Sequence, residues 1–232
     1  MIHVGTSGFQ YEEWRGSFYP STLSKPKMLG YYAGHFSTTE INYTFRHLPS
    51  VATLERWSVA TPEHFVFAFK APQQITHFSK LRDCEKHLEA FAAALEPMGP
   101  KTGPVLFQLP PTFKKDAAVL RDFLEVIPKA LQPAFEFRHA SWFDDETFAL
   151  LKSSHAALCI ADDEKLSTPA ISTAKFSYFR LRRLDYTDAD LRRWAKILRV
   201  QATPRKPAYV YFKHEETAAG VKFAQHMMTL VA

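Results

Sequence analysis

The chain has 232 residues, 46% of them apolar and 14% aromatic, which fills a core and excludes a disordered segment. No apolar run approaches the roughly 20 residues needed to cross a bilayer, so no membrane role is expected. A formal charge of +5 and a pI near 9.1 permit an anionic ligand or nucleic acid and demand neither.

The opening segment, MIHVGTSG, enters a strand-like pattern at once and lacks the charged and apolar regions of a signal peptide. A cytoplasmic location is expected. Further along, eight short apolar or alternating runs read as strands: residues 2–5, 39–44, 65–70, 104–109, 134–139, 156–161, 176–181 and 209–214. Between them lie helical spacings. Leu88, Phe91, Ala92 and Leu95 recur at the spacing of one helix face. Val119, Leu120, Phe123, Leu124 and Ile127 do the same, as do Leu191, Trp194, Ala195 and Leu198. Asp144-Asp145 and Thr187 with Asp188 and Asp190 look like capped helix starts.

Strands that alternate with helices form parallel βαβ units, and eight of them predict a closed (β/α)8 barrel of the TIM type, class α/β. An open doubly wound sheet competes, but GTSG at 5–8 lacks the GxGxxG spacing and no helix follows it. Between strands six and seven, ADDEKLSTPAIST has no helical period and contains Pro169, so that outer helix should be missing or reduced. No linker or repeat divides the chain, and residues 1–232 read as one domain.

The stretch AFEFRH sets Phe135 and Phe137 on one face and Glu136 and Arg138 on the other. In a barrel the phenylalanines face the helices and the charges point inward near the C-terminal mouth. Other strands repeat the pattern: Glu40 and Asn42 on strand two, Lys70 ending strand three, Gln108 ending strand four, Arg180 late on strand seven and Lys213 ending strand eight. Asp162 follows strand six directly. A structural ion pair between Arg138 and Glu136 or Glu40 would account for part of this. Yet Lys70, Arg138, Arg180 and Lys213 outnumber Glu40, Glu136 and Asp162 by one, and internal pairing needs no such excess. A small anion, phosphate or carboxylate, is therefore the expected ligand.

Glu136 or Glu40 would act as base, with Arg138 holding Glu136 ionised; His139 and His77 could carry protons, and Asp162 is a further catalytic candidate. Glu40, Glu136, His139 and Asp162 are metal-ligating types, but no HxH, HExxH or DxD spacing supports a divalent metal. No cofactor is assigned. The loop with Thr6 and Ser7 offers backbone amides to an anion, or simply a turn at Gly8. Trp14 and Trp142 lie in loops after strands one and five, where they either close an apolar lid or stack on a sugar or base. Cys84 and Cys159 stand apart without CxxC spacing and read as reduced, buried thiols.

The runs GTSGFQYEEWRGSFYP, TTEINYTFRHLPS, FVFAFKAPQQITHFSKL, GPVLFQLPP, AFEFRHASWF and YFRL resemble the YecE-like family, a bacterial and archaeal domain of unknown function. The resemblance implies a TIM-type barrel with its motif residues at the strand ends, and it supplies no reaction. Fold similarity to metal-dependent apurinic endonucleases and sugar isomerases suggests nucleic-acid or sugar chemistry by analogy alone. Carried over, the family's polar positions fall on Thr6, Ser7, Trp14, Glu40, Asn42, Thr44, Lys70, His77, Gln108, Glu136, Arg138, His139, Trp142 and Asp162. After strand seven the family usually shows His-Gly where this chain has Arg182-Arg183. After strand eight it shows Asn residues followed by Asp, where this chain has Lys213-His214-Glu215.

Three functions fit these residues. One is an enzyme acting on a small phosphorylated or carboxylated compound by acid–base chemistry, with Lys70, Arg138 and Arg180 stabilising negative charge. The second is a nucleic-acid binder or nuclease, and the third a ligand-binding module without catalysis.

Overall fold

Eight parallel strands pair in chain order, and β8 returns to β1 to close the barrel. The structure, a computed structural model, describes residues 1–164, 166–213 and 218–232. The strands are β1 (Ile2–Ser7), β2 (Thr38–Ile41), β3 (Val66–Lys70), β4 (Thr102–Gln108), β5 (Gln132–Glu136), β6 (Ala157–Asp162), β7 (Ser177–Leu181) and β8 (Ala208–Phe212). The outer layer holds α1 (Met28–Ala33), α2 (Val51–Val59), α3 (Glu85–Leu95), α4 (Ala117–Val126), α5 (Asp145–Ser153), α6 (Asp188–Gln201) and α7 (Ala219–Val231). Among the described residues no helix joins β6 to β7, as Pro169 and the missing period predict. No helix among them is long and apolar enough to cross a membrane.

Period-two alternation builds both layers of the wall. On the outer face Phe107 stacks on Phe135 at 5.3 Å, Phe135 on Phe137 at 6.0 Å and Phe137 on Trp142 at 4.6 Å. On the inner face, β3, β5 and β6 supply the small residues Ala68, Ala134, Ala157 and Cys159. Tyr178 and Tyr211, 5.2 Å apart, fill the space those small residues leave from the opposite wall. Asp144 caps α5, and Thr187 closes a reciprocal capping box with Asp190 at α6.

Three predicted strands stop two or three residues early. Asn42 has helical backbone angles, so β2 stops at Ile41 and residues 43–45 make one tight turn. β5 ends at Glu136 and the chain leaves the sheet before Arg138. β8 ends at Phe212, while His214 and Glu215 lie outside the described residues.

Candidate functional site

The inward polar side chains of β1, β2, β4, β5 and β7 meet in one buried network. Arg180, 2% exposed, is its centre. Its Nη2 donates to Glu40 Oε1 at 2.9 Å and its Nη1 to Glu136 Oε2 at 2.5 Å. Glu40 also accepts from Tyr178 Oη at 2.6 Å and from Ser7 Oγ. Ser7 Oγ in turn accepts from Asn42 Nδ2 at 2.8 Å. Gln108 joins the other half, with its Nε2 donating to Glu136 Oε2 at 2.9 Å and its Oε1 accepting from Lys70 Nζ at 2.9 Å. Arg182 Nη1 closes over the top, 3.2 Å from Glu136 Oε1 and 3.5 Å from Asp163 Oδ2.

Burial by itself would raise both carboxyls, but the nearby guanidinium and the hydrogen bonds reverse the sign. Glu136 is held down to about 2 by Arg180 and Arg182, and Glu40 is lowered by Arg180, Ser7 and Tyr178. Lys70 moves the other way for a cation. Burial and the charge of Arg180 bring its ammonium down to about 8, against the opposing pull of Glu40 and Glu136. The Lys70 Nζ also lies 4.0 Å from the centre of the Phe45 ring. His77, beside Phe45, is lowered by burial and by the charges of Lys70 and Arg138.

Glu40, Lys70, Gln108, Glu136, Arg180, Ser7 and Asn42 are thus brought together. Of the expected residues outside this network, four lie in other parts of the fold. Asp162 falls on the outer face of β6, where its Oδ2 accepts from Tyr186 Oη at 2.9 Å and Trp194 Nε1 at 3.0 Å. Its carboxylate fastens α6 to the barrel and does not reach the mouth. Thr6 also faces outward, and its amide is not free to donate to an anion because it donates to Tyr32 Oη at 2.8 Å. The Gly8 amide is likewise committed, to Glu40 O at 2.8 Å. Trp14 and Trp142 are 1% and 0% exposed. Both rings belong to the core, and Trp142 Nε1 donates to Phe113 O at 2.8 Å, so neither offers a face for stacking.

Arg138 sits half-exposed just beyond β5, and the cations paired with Glu136 are Arg180 and Arg182 instead. His139 Nδ1 accepts from the Ser141 amide at 3.1 Å and caps the following turn. Lys213 is half-buried just past β8, close enough for its charge to act on Lys70. Thr44 Oγ1 donates to Lys70 O at 2.6 Å and ties the β2 loop to the end of β3. The four candidate metal ligands do not converge, and no cluster of three such side chains occurs among the described residues. Cys84 and Cys159 are free and buried.

Two members of the network were missed as site residues. Tyr178 lies two positions before Arg180 on β7, so strand parity places it on the same face, while Arg182 follows the end of β7 by one residue. With Arg182 in and Asp162 out, the two interior carboxylates face three cations, Lys70, Arg180 and Arg182. Beside the mouth runs a cleft of about 750 Å³, walled by Tyr11, Tyr43, Arg56 and Trp57 and sharing Asn42 with the network.

The family described as "Protein of unknown function DUF72" matches residues 3–232. The UPF0759 protein YecE of Escherichia coli is 31% identical over 144 residues, covering 62% of this chain and 50% of that protein. The UPF0759 protein YunF of Bacillus subtilis is 30% identical over 189 residues, covering 75% of this chain and 64% of its own length. The chain therefore spans only about half to two thirds of these relatives. A crystal structure of a DUF72 family protein from Thermotoga maritima superposes with a TM-score of 0.89 at 27% identity, covering 100% of this chain and 99% of that one. One from Enterococcus faecalis gives 0.85 at 19% identity, over 100% and 95%, and shows the fold alone.

Proposed function

Because the chain belongs to the DUF72 family, whose description names no reaction, we propose a function from the mouth itself: an enzyme that binds a small carboxylated or phosphorylated molecule at the C-terminal strand ends and acts on it by proton transfer. The observation that carries this reading is the vertical order of charge. Glu40 and Glu136 lie at the bottom, essentially unexposed and saturated with donors. Lys70, Arg138 and Arg182 lie above them, each partly open to solvent. An incoming anion meets the cations first, and the guanidinium groups suit planar carboxylate or phosphate.

The roles within that enzyme differ from those that the bare sequence suggests. Glu136, held near 2, is a feeble base, and Glu40 is lowered by the same arginine, so both serve to fix Arg180 and bias the mouth electrostatically. Lys70, near 8, exchanges a proton close to neutrality, and His77 stands next to it at the rim. A binding module without turnover would use the same cations, and the displaced Lys70 favours the enzyme, since a merely electrostatic lysine gains nothing from it. The nucleic-acid reading set basic loops on the phosphate backbone and Trp14 or Trp142 on a base; both rings are enclosed, which leaves it the basic loops alone.

Calorimetric titration with inorganic phosphate and with pyruvate, at constant ionic strength, tests the anion. Saturable binding should weaken roughly tenfold or more in the R138Q/R182Q double variant. Heats equal to a chloride control, or undiminished binding in that variant, would reject the reading.

A further inference from the structure

The least expected polar group in the mouth is the amine of Lys70. Two carboxylates share the cavity with it, yet among the described residues none pairs with it. Glu40 and Glu136 are both taken by arginine. What holds Nζ is the neutral oxygen of Gln108, at 2.9 Å. Gln108 is itself pinned, because its other end donates to Glu136. One N–H direction of the amine is thus fixed, Phe45 covers another side at 4.0 Å, and the residue stays partly exposed. A lysine built only to neutralise charge would sit on a carboxylate.

We propose that Lys70 is a covalent site that condenses with the carbonyl carbon of a small oxo acid or sugar phosphate to form an imine. The substrate class rests on the anion reading given above, whereas the amine chemistry stands on the Gln108 and Phe45 contacts. The Nζ lone pair forms the new C–N bond, and the carbonyl π electrons pass to oxygen. Both amine protons leave with that oxygen as water when the C–O bond breaks, which yields the C=N double bond, and no oxidant or reductant is needed. The substrate's anionic end would lie against Arg138 and Arg182, a few side chains away on the same rim.

The groups that act on the amine favour its free base. Burial and the positive charges of Arg180 on β7 and Lys213 after β8 outweigh Glu40 on β2 and Glu136 on β5. This raises the fraction of nucleophilic amine at neutral pH by roughly two orders of magnitude over an ordinary lysine. The Phe45 ring attracts the ammonium and so opposes the shift, but it also shields the amine from water, as imine formation requires.

Borohydride trapping on the full chain tests this. The protein is incubated with pyruvate or glyceraldehyde 3-phosphate, reduced with borohydride, digested and mapped by mass spectrometry. The reduced adduct should concentrate on the peptide carrying Lys70, roughly tenfold or more above any surface lysine, and disappear in K70R. Adducts spread evenly over the surface lysines, or none on Lys70 with either carbonyl compound, would overturn the proposal even where phosphate binds the mouth. Trapping on Lys70 that excess phosphate fails to suppress would uphold the imine and reject the anion reading instead. Because the site is mapped on the wild-type chain, misfolding of K70R would leave the outcome readable.

Discussion

The Arg180 guanidinium donates to the Glu136 carboxylate at 2.5 Å with both side chains cut off from water. Its other terminal nitrogen serves Glu40, so one cation neutralises two buried acids from strands β2 and β5. Removing it leaves the Glu40 carboxylate without its ion-pair partner and Glu136 with Arg182 alone, in the barrel interior. Arg180→Met should therefore destabilise the protein by about 3–5 kcal/mol in urea unfolding. Arg180→Lys should recover only part of this, because a single ammonium cannot reproduce the two-armed contact. Replacing Glu40 and Glu136 by Gln in the Met background should restore much of the loss. A Met variant as stable as wild type would show that the network carries no net stability.

The same pairing fixes the response to acid. Glu136 titrates near 2 in the folded chain against an ordinary value of 4.5, and Glu40 is also lowered. As pH falls below about 5, the unfolded chain takes up these protons before the native one does. The stabilisation is complete at neutral pH and drains away down to about pH 2, amounting to about 3 kcal/mol for Glu136. Glu136→Gln should flatten the acid limb of a stability–pH profile. An unchanged slope in that variant would assign acid unfolding to other groups.

Much of this was legible because strand alternation has only two phases. On β5 the order Phe135, Glu136, Phe137 fixes which side faces inward, and Glu40, Lys70, Gln108 and Arg180 follow from the same rule on their own strands. β6 gave no such phase. Its run from Ala156 to Ala161 is apolar on both faces, so nothing in it told Asp162 from an inward residue. Thr6, between two small residues, was equally ambiguous. The burial of Trp14 and Trp142 depends on loops folding back over distant segments, as when Phe113 O receives the Trp142 N–H. Local pattern cannot contain that. The expected pairing of Arg138 with Glu136 failed for another reason: the alternation was right, but β5 ended three residues before the predicted strand did.

Asp162 provides a separate test of the layer assignment. Its Oδ2 satisfies Tyr186 and Trp194 in the helix layer. Asp162→Ala should leave those two buried donors unpaired and cost about 2–3 kcal/mol. Phosphate and pyruvate binding, measured below the unfolding range, should stay within a factor of about two of wild type, since the residue faces away from the mouth. Loss of binding with stability intact would return Asp162 to the site.

Lys70 should imprint the opposite signature at alkaline pH. Its folded value near 8 lies below the ordinary 10.5, so between those limits the unfolded chain holds a proton that the native chain has released. Stability contributed by this group therefore rises with pH across that window, and below about 8 the native fold carries the burden of a buried ammonium. Lys70→Met lacks the titrating group but also leaves Gln108 Oε1 without its donor, so its absolute stability is a poor guide. The difference between wild type and variant is the useful quantity. Urea unfolding of both proteins at several pH values should show that difference shifting in favour of wild type as pH climbs from about 8 towards 10.5. A constant difference would mean that Lys70 titrates alike in both states, and an inverted trend would place a carboxylate beside the amine.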